Sequence, residues 1–275
     1  ALEEDMSTQM VYTTQSTADY VYYRLNRVAF SADALKTSIG SLMYDEEDPY
    51  EEYRKIRNAL MTTLDDKVMS YCRIYFAQDK LYAGQFTNEW MLGNLETLEL
   101  DMPENGWAYS FWGTSHEENY GIIIGSRQVM SYYCPVRSQN DFNQVNGVIV
   151  MDLNVAELEK MLRRGGSDTL YLIDEHGQIL VSTDGTGIGE KLLKEPTVSE
   201  LQNESENGSF SVGHTRYVYS RLQDTRWYLV GRIENSDIYK LYYKIFIVSA
   251  FVAVILLCIV ASLLLGIKNA NLKYH

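Results

Sequence analysis

Two stretches decide the fold: Gly147–Leu162, GVIVMDLNVAELEKML, and Trp227–Tyr242, WYLVGRIENSDIYKLY. In each, an apolar strand-like run passes directly into a helix pattern, led by Asn154 in the first and by Asn235-Ser236 in the second. Asn and Ser suit a helix N-cap, because their side-chain oxygen accepts from a backbone N–H that the first turn leaves unpaired. Glu157, three residues after Asn154, completes a capping box. A strand-to-helix joint that recurs signals an internal repeat.

The segments upstream of each joint also correspond. Before the first joint, Val68–Ala77 (VMSYCRIYFA) is rich in aromatic and β-branched residues and reads as a strand. Asp79-Lys80 then reads as a turn and Leu81-Tyr82-Ala83 as a short return strand. Residues 86–116 read as irregular or short-helical and aromatic-rich, followed by strands at Tyr120–Gly125, Gln128–Val136 and Gly147–Leu153. Gly165-Gly166 ends the helix begun at Asn154. Before the second joint, Thr169–Ile173 and Gln178–Ser182 form a hairpin across Asp174-Glu175-His176-Gly177. A Gly-rich loop (Gly185, Gly187, Gly189), a helical stretch near Glu190–Gln202 and strands at Gly208–Val212, Arg216–Leu222 and Trp227–Ile233 follow. The pattern is α+β: two tandem units, each of five antiparallel strands, over residues 67–166 and 167–234.

The N-terminal 66 residues are helical. Ala18, Val21, Leu25, Val28, Ala32, Leu35, Ile39 and Leu42 recur at alternating steps of three and four, so residues 10–44 read as one long helix with a single apolar seam. It lies along both units, against a second copy, or on its own sheet alone. A second helix opens at Asp48-Pro49-Tyr50-Glu51, with Asp at the N-cap and Pro at the first helical position, and buries Tyr53, Ile56, Leu60 and Leu64.

Ile245–Ile267 is 23 residues without a charge. At ~1.5 Å per residue it is long enough to cross a hydrocarbon core of ~30 Å. Residues 235–268 therefore read as a juxtamembrane and transmembrane helix, leaving 269–275 as the start of a further segment. Lys240 and Lys244 before the span balance Lys268 and Lys273 after it, so local charge does not orient it. The net charge of −13 excludes a nucleic-acid surface, which needs clustered Lys and Arg. Four scattered His, no CxxC and no paired ligand spacing give no metal centre and imply no cofactor. No nucleophile–base pattern marks an enzyme. Gly185-Thr186-Gly187-Ile188-Gly189 lacks the Lys-Ser/Thr of a phosphate-cradling loop and reads as a turn. Cys72 and Cys134 lie in strands, where a bridge is open but unsupported by any framework spacing.

The layout resembles the double Cache (tandem PAS-like) extracytoplasmic sensor domain of bacterial receptors, especially sensor histidine kinases. The resemblance rests on GWAYSFW (Gly106–Trp112), SRQVMSYY (Ser126–Tyr133), GVIVMDL (Gly147–Leu153), YLIDEHGQILVSTDGTGIG (Tyr171–Gly189) and RWYLVGRI (Arg226–Ile233), in that order. It implies a homodimeric receptor in the cell membrane with residues 1–244 outside the cytoplasm. It also implies an earlier transmembrane helix and a later cytoplasmic kinase. A chemotaxis receptor with the same ectodomain is the near alternative.

The membrane-distal unit would bind a small polar ligand, and the proximal unit would relay the change. Candidate contacts are the aromatic walls Trp107, Tyr109 and Trp112 with two charged groups, Arg127 and Asp152. Asp152 matches the acidic residue of amine- and amino-acid-binding members. Those members carry an Arg just before the Trp and a Tyr just after it, whereas Gly106 and Ala108 flank Trp107 here, and the match to an α-amino-acid binder breaks at that point. The exposed aromatics of residues 86–120, with Trp90 and Trp112 among them, would alternatively suit a solute-binding protein.

Overall fold

The computed structural model describes residues 2–40, 49–63, 69–77, 92–98, 106–138, 141, 143–163, 169–193, 198, 201, 206–213 and 215–272. Helix α1 (Leu2–Gly40) is followed by α2 (Pro49–Thr63). The first sheet holds β1 (Met69–Phe76), β2 (Leu92–Asn94), β3 (Phe111–Asn119), β4 (Ser126–Arg137) and β5 (Val145–Asn154). A one-turn helix α3 (Gly121–Ile124) joins β3 to β4, and α4 (Val155–Arg163) follows β5. The second sheet holds β6 (Leu170–Ile173), β7 (Ile179–Ser182), β8 (Asn207–Val212), β9 (Thr215–Arg221) and β10 (Tyr228–Glu234). Helix α5 (Asn235–Leu272) closes the chain.

The repeat is structural. The sheet orders are β2-β1-β5-β4-β3 and β7-β6-β10-β9-β8, the same order counted within each unit. One pairing breaks the symmetry: β1 and β2 are parallel (Ile74 opposite Leu92), whereas β6 and β7 are antiparallel. Parallel neighbours need a crossover of about a dozen residues or more, and 15 separate Phe76 from Leu92. The return strand expected at Leu81-Tyr82-Ala83 lies outside the described residues, as do Leu42, Asp48, Trp90 and Gly165-Gly166.

Helix α1 packs along both sheets. Ala18, Val21, Leu25, Val28, Ala32, Leu35 and Ile39 are all buried, so the seam read from the sequence is the packed face. Met10 and Val11 meet Val218 and Ile233 of the second sheet, while the Asp33 carboxylate accepts from the Cys134 thiol of the first. The helix starts earlier than position 10, because residues 2–9 contain no Gly or Pro to stop it.

In β1, β4 and β5 side chains alternate between two faces. Cys72, Ile74, Phe76, Met130, Tyr132, Cys134, Ile149, Met151 and Leu153 join α1 and α2 in the main core. Tyr71, Arg73, Tyr75, Ser131, Tyr133, Val148, Val150 and Asp152 take the opposite face. Cys72 and Cys134 are buried free thiols on β1 and β4, with β5 between them.

Three local expectations fail. Within residues 86–116, read as irregular or short-helical, Leu92–Asn94 is β2 and β3 begins at Phe111. Tyr120–Gly125 is not a strand: β3 ends at Asn119, and Ile122-Ile123-Ile124 form α3. The flanking glycines decide this, with Gly121 and Gly125 at φ +80° and +72°. The Asn119 side chain accepts from the Gly121 N–H, and the Gly125 N–H donates to the Gly121 carbonyl. Likewise Glu190–Leu193 is turn and bridge rather than helix, pinned by Gln178 opposite Lys191; Val198 and Leu201 beyond it are helical and buried.

In the second unit the Asp174 carboxylate accepts from the His176 and Gln178 N–H groups and closes the β6–β7 hairpin. The Gly-rich loop is a turn, as read. Its Asp184 carboxylate accepts from the Ser182 hydroxyl and from the Thr186 N–H and hydroxyl.

Helix α5 begins directly after β10. Its segment Tyr243–Ser262 has a mean hydropathy of 3.0 and no buried share, and is long and apolar enough to cross a membrane.

Candidate functional site

The face of the first sheet turned away from α1 carries a buried charge cluster. Tyr71 and Ser131 stand opposite Asp152 on the two strands that flank β5, and Arg73 lies diagonally across from it. Arg73 Nη2 donates to Asp152 Oδ1 at 3.0 Å, and Arg73 Nε lies 2.9 Å from Oδ2. The Ser131 hydroxyl also donates to Oδ1, and the Tyr120 hydroxyl donates to Oδ2 at 2.6 Å. On its other side, Arg73 Nη1 donates to the Tyr75 hydroxyl at 2.8 Å and pairs with Glu118 at 2.9 Å. Arg73 is 3 % exposed and Asp152 is fully buried, so both charges are removed from water and paired with each other and with hydroxyls, although Arg73 Nε lies close to Asp152 without hydrogen-bond geometry.

Burial works against the Arg73 charge, but Asp152, then Tyr75 and Glu118, outweigh it and hold the guanidinium protonated. Burial and the Asp152 carboxylate push the Tyr120 hydroxyl far above the usual tyrosine range. Burial also pushes Tyr133 up to about 12. The phenols therefore stay neutral donors. The Tyr71 and Tyr120 rings touch in a tilted arrangement, with centroids 3.8 Å apart. At the rim, Glu118 and His116 are partly exposed, with His116 Nε2 3.8 Å from the Glu118 carboxylate.

Next to the cluster stands an aromatic wall. The Trp107 ring lies 5.8 Å from Phe111 and 6.3 Å from Tyr133, centroid to centroid. Arg137 fixes it from behind, its Nη2 donating to the Trp107 and Ala108 carbonyls at 2.9 and 2.6 Å. Gly113 lets Tyr133 lie flat, since a Cβ there would be 2.8 Å from the ring.

The structure brings Trp107 and Asp152, two of the five candidate residues, to this face. Tyr109 is 75 % exposed and points away. Trp112 is on the other face, against Tyr132 and, across the unit boundary, Trp227. Arg127 is exposed at the start of β4, opposite Glu118, and the cation that pairs with Asp152 is Arg73 instead. Arg73, Tyr120, Glu118, Ser131 and Arg137 were not among the candidates. A lone Arg between Tyr71 and Tyr75 in an apolar strand was the available signal, since strand alternation places all three on one face.

The sequence pattern of the Cache domain matches residues 1–241. The chain belongs to the Cache domain family. Its sheets agree with those of solved relatives of low identity. The periplasmic sensory domain of the Campylobacter jejuni chemoreceptor Tlp1 superposes with a TM-score of 0.70 at 12 % identity, over 87 % of this chain and 99 % of that one. The extracellular domain of soHK1S-Z6, described as a histidine kinase, gives 0.59 at 15 % identity, over 86 % and 97 %. The ligand-binding domain of Pseudomonas fluorescens chemoreceptor CtaA, in complex with L-isoleucine, gives 0.54 at 15 % identity, over 87 % and 97 %. No curated protein sequence matches. In this Cache chain the charged face thus belongs to the first of two stacked units, the one farther along the chain from α5.

Proposed function

We propose that this chain is the extracytoplasmic ligand-sensing part of a homodimeric membrane receptor, with residues 1–244 outside the cytoplasm and α5 crossing the bilayer. A small polar molecule binds the distal unit against the Arg73–Asp152 face, and the proximal unit relays the change into α5. The observation that carries this reading is the charge cluster itself. Apolar packing would stabilise that face as well or better, so a buried ion pair beside an aromatic wall is suited to recognition. CtaA, which shares the fold, was solved with an amino acid bound, and a ligand of similar size and polarity is the first class to test here. A ligand acts by binding one conformation better than another. The direct joint between β10 and α5 supplies the route from sheet to bilayer.

The output is a two-component histidine kinase. A chemoreceptor output is the second reading, favoured by the likeness to Tlp1. The adjoining cytoplasmic sequence separates the two.

The test is a thermal-shift screen of the chain in lipid nanodiscs against amino acids, amines, organic acids and sugars. Ligand at about 100 times its dissociation constant stabilises by about 2.7 kcal/mol. A hit that weakens in Glu118→Gln and Trp107→Phe supports the distal site. A well-folded sample without a hit, or a hit indifferent to both substitutions, overturns it. Crosslinking across the dimer between residues 239 and 244 then reports the relay, and patterns identical with and without ligand would count against it.

A further inference from the structure

A second concavity lies on the opposite side of the distal sheet, where α1, the distal unit and the proximal unit meet. It is a cleft of about 350 Å³. Tyr22 and Asn26 of α1, Trp112 and Tyr132 of the distal sheet, and Asp224 and Trp227 of the β9–β10 turn line it. The walls are aromatic: Trp112 lies 5.0 Å from Tyr132 and 6.1 Å from Trp227, centroid to centroid. Asp224 is the one charged group among the described lining residues, and no basic side chain is among them. Its carboxylate is held by the Tyr22 hydroxyl, which donates at 2.8 Å. The Asp224 backbone is left-handed, at φ 53°, a conformation that Asn and Asp tolerate better than most residues.

Aromatic faces carry negative potential and attract cations, most strongly where the cation is partly desolvated. Several rings with a single carboxylate and no competing cation make a receptor for a compact organic cation. We propose that this inter-unit cleft is a second binding site, distinct from the Arg73–Asp152 face, and that it takes a small ammonium ligand, primary or quaternary. The rings seat the alkyl-ammonium head and Asp224 supplies the counter-charge. Because Trp112 and Trp227 come from different units, an occupant touches both at once. It thereby favours one relative placement of the distal sheet and the strand that enters α5.

Tetramethylammonium chloride is the probe, titrated against the whole chain in nanodiscs at constant ionic strength made up with sodium chloride. Tryptophan fluorescence is the readout. The expected result is saturable quenching, weakened about tenfold in Asp224→Asn, the order of loss expected when one close, partly screened counter-charge is neutralised. Asn keeps both the left-handed turn and an acceptor for Tyr22, so this variant folds. Trp227→Leu should weaken binding at least as much, while Glu118→Gln at the distal site leaves it unchanged. 3,3-Dimethyl-1-butanol, whose tert-butyl head resembles the probe in shape but is uncharged, serves as the neutral isostere of that head and should not compete. No saturable response overturns the proposal, as does binding indifferent to Asp224→Asn and Trp227→Leu, or equal binding of the neutral isostere. Each of these outcomes is separable from failure of the distal site, which is read with other ligands and other variants.

Discussion

Arg73 and Asp152 are 79 residues apart in sequence and ion-paired in the interior of the first sheet. Removing one partner leaves the other charge buried. Asp152→Ala should therefore destabilise the chain by about 3–5 kcal/mol. The paired replacement Arg73→Met with Asp152→Leu should recover most of that loss while abolishing any ligand response at this face. Thermal melts of the three chains check this. A paired variant no more stable than Asp152→Ala would mean that the pair does more than satisfy its own charges.

Gly113 makes a second, local prediction. Gly113→Ala places a methyl group 2.8 Å from the Tyr133 ring, and overpacking of this kind costs about 1–3 kcal/mol. The loss should fall when Tyr133 is also shortened to Leu, because the clash is with that ring. Melting of the single and double variants measures the coupling.

The buried phenols fix the alkaline limit of stability. Burial raises Tyr133 to about 12, and Tyr75 and Tyr120 are raised as well. In the unfolded chain tyrosine ionises near about 10. A folded-state value above the unfolded one means that the folded state holds its protons longer. That contribution is complete below about pH 10 and is lost as pH climbs toward about 12. Tyrosinate absorbance should show a cooperative step that coincides with loss of near-UV circular dichroism. A smooth single titration with the fold intact would contradict this placement.

The cysteines should behave as inert core residues. Burial raises both the Cys72 and the Cys134 thiols, and thiolate is the reactive form. Under native conditions neither should be alkylated, and both should react in denaturant without prior reduction. Protection that disappears only on reduction would reveal a bridge.

Periodicity carried most of the fold. The seam of α1 from Ala18 to Ile39, the two strand-to-helix joints and the second unit's strands lie where their patterns predict, whereas in the first unit β2 and β3 lie elsewhere than expected. Ile122-Ile123-Ile124 misled because side-chain propensity favours a strand, while Gly121 and Gly125 set the backbone to a turn. The candidate site was half legible for a related reason. Asp152 and Trp107 sit in recognisable motifs. The partners of Asp152 come from three other segments, at Arg73, Tyr120 and Ser131, and only the sheet register aligns them. Arg127 was the candidate cation because it opens a motif strand, yet it stands at the exposed start of β4.

The passage from β10 to α5 without an intervening residue makes the last strand and this long apolar helix a single lever. Thirty-eight helical residues, at ~1.5 Å each, reach about 57 Å. A tilt of about 5° imposed at the sheet would then swing the far end by about 5 Å over an arm of that length. In the first unit the equivalent joint, β5 into α4, is folded back and buried against the core. The two joints thus part ways: one helix packs on its own unit, and the other runs on as an exposed apolar helix.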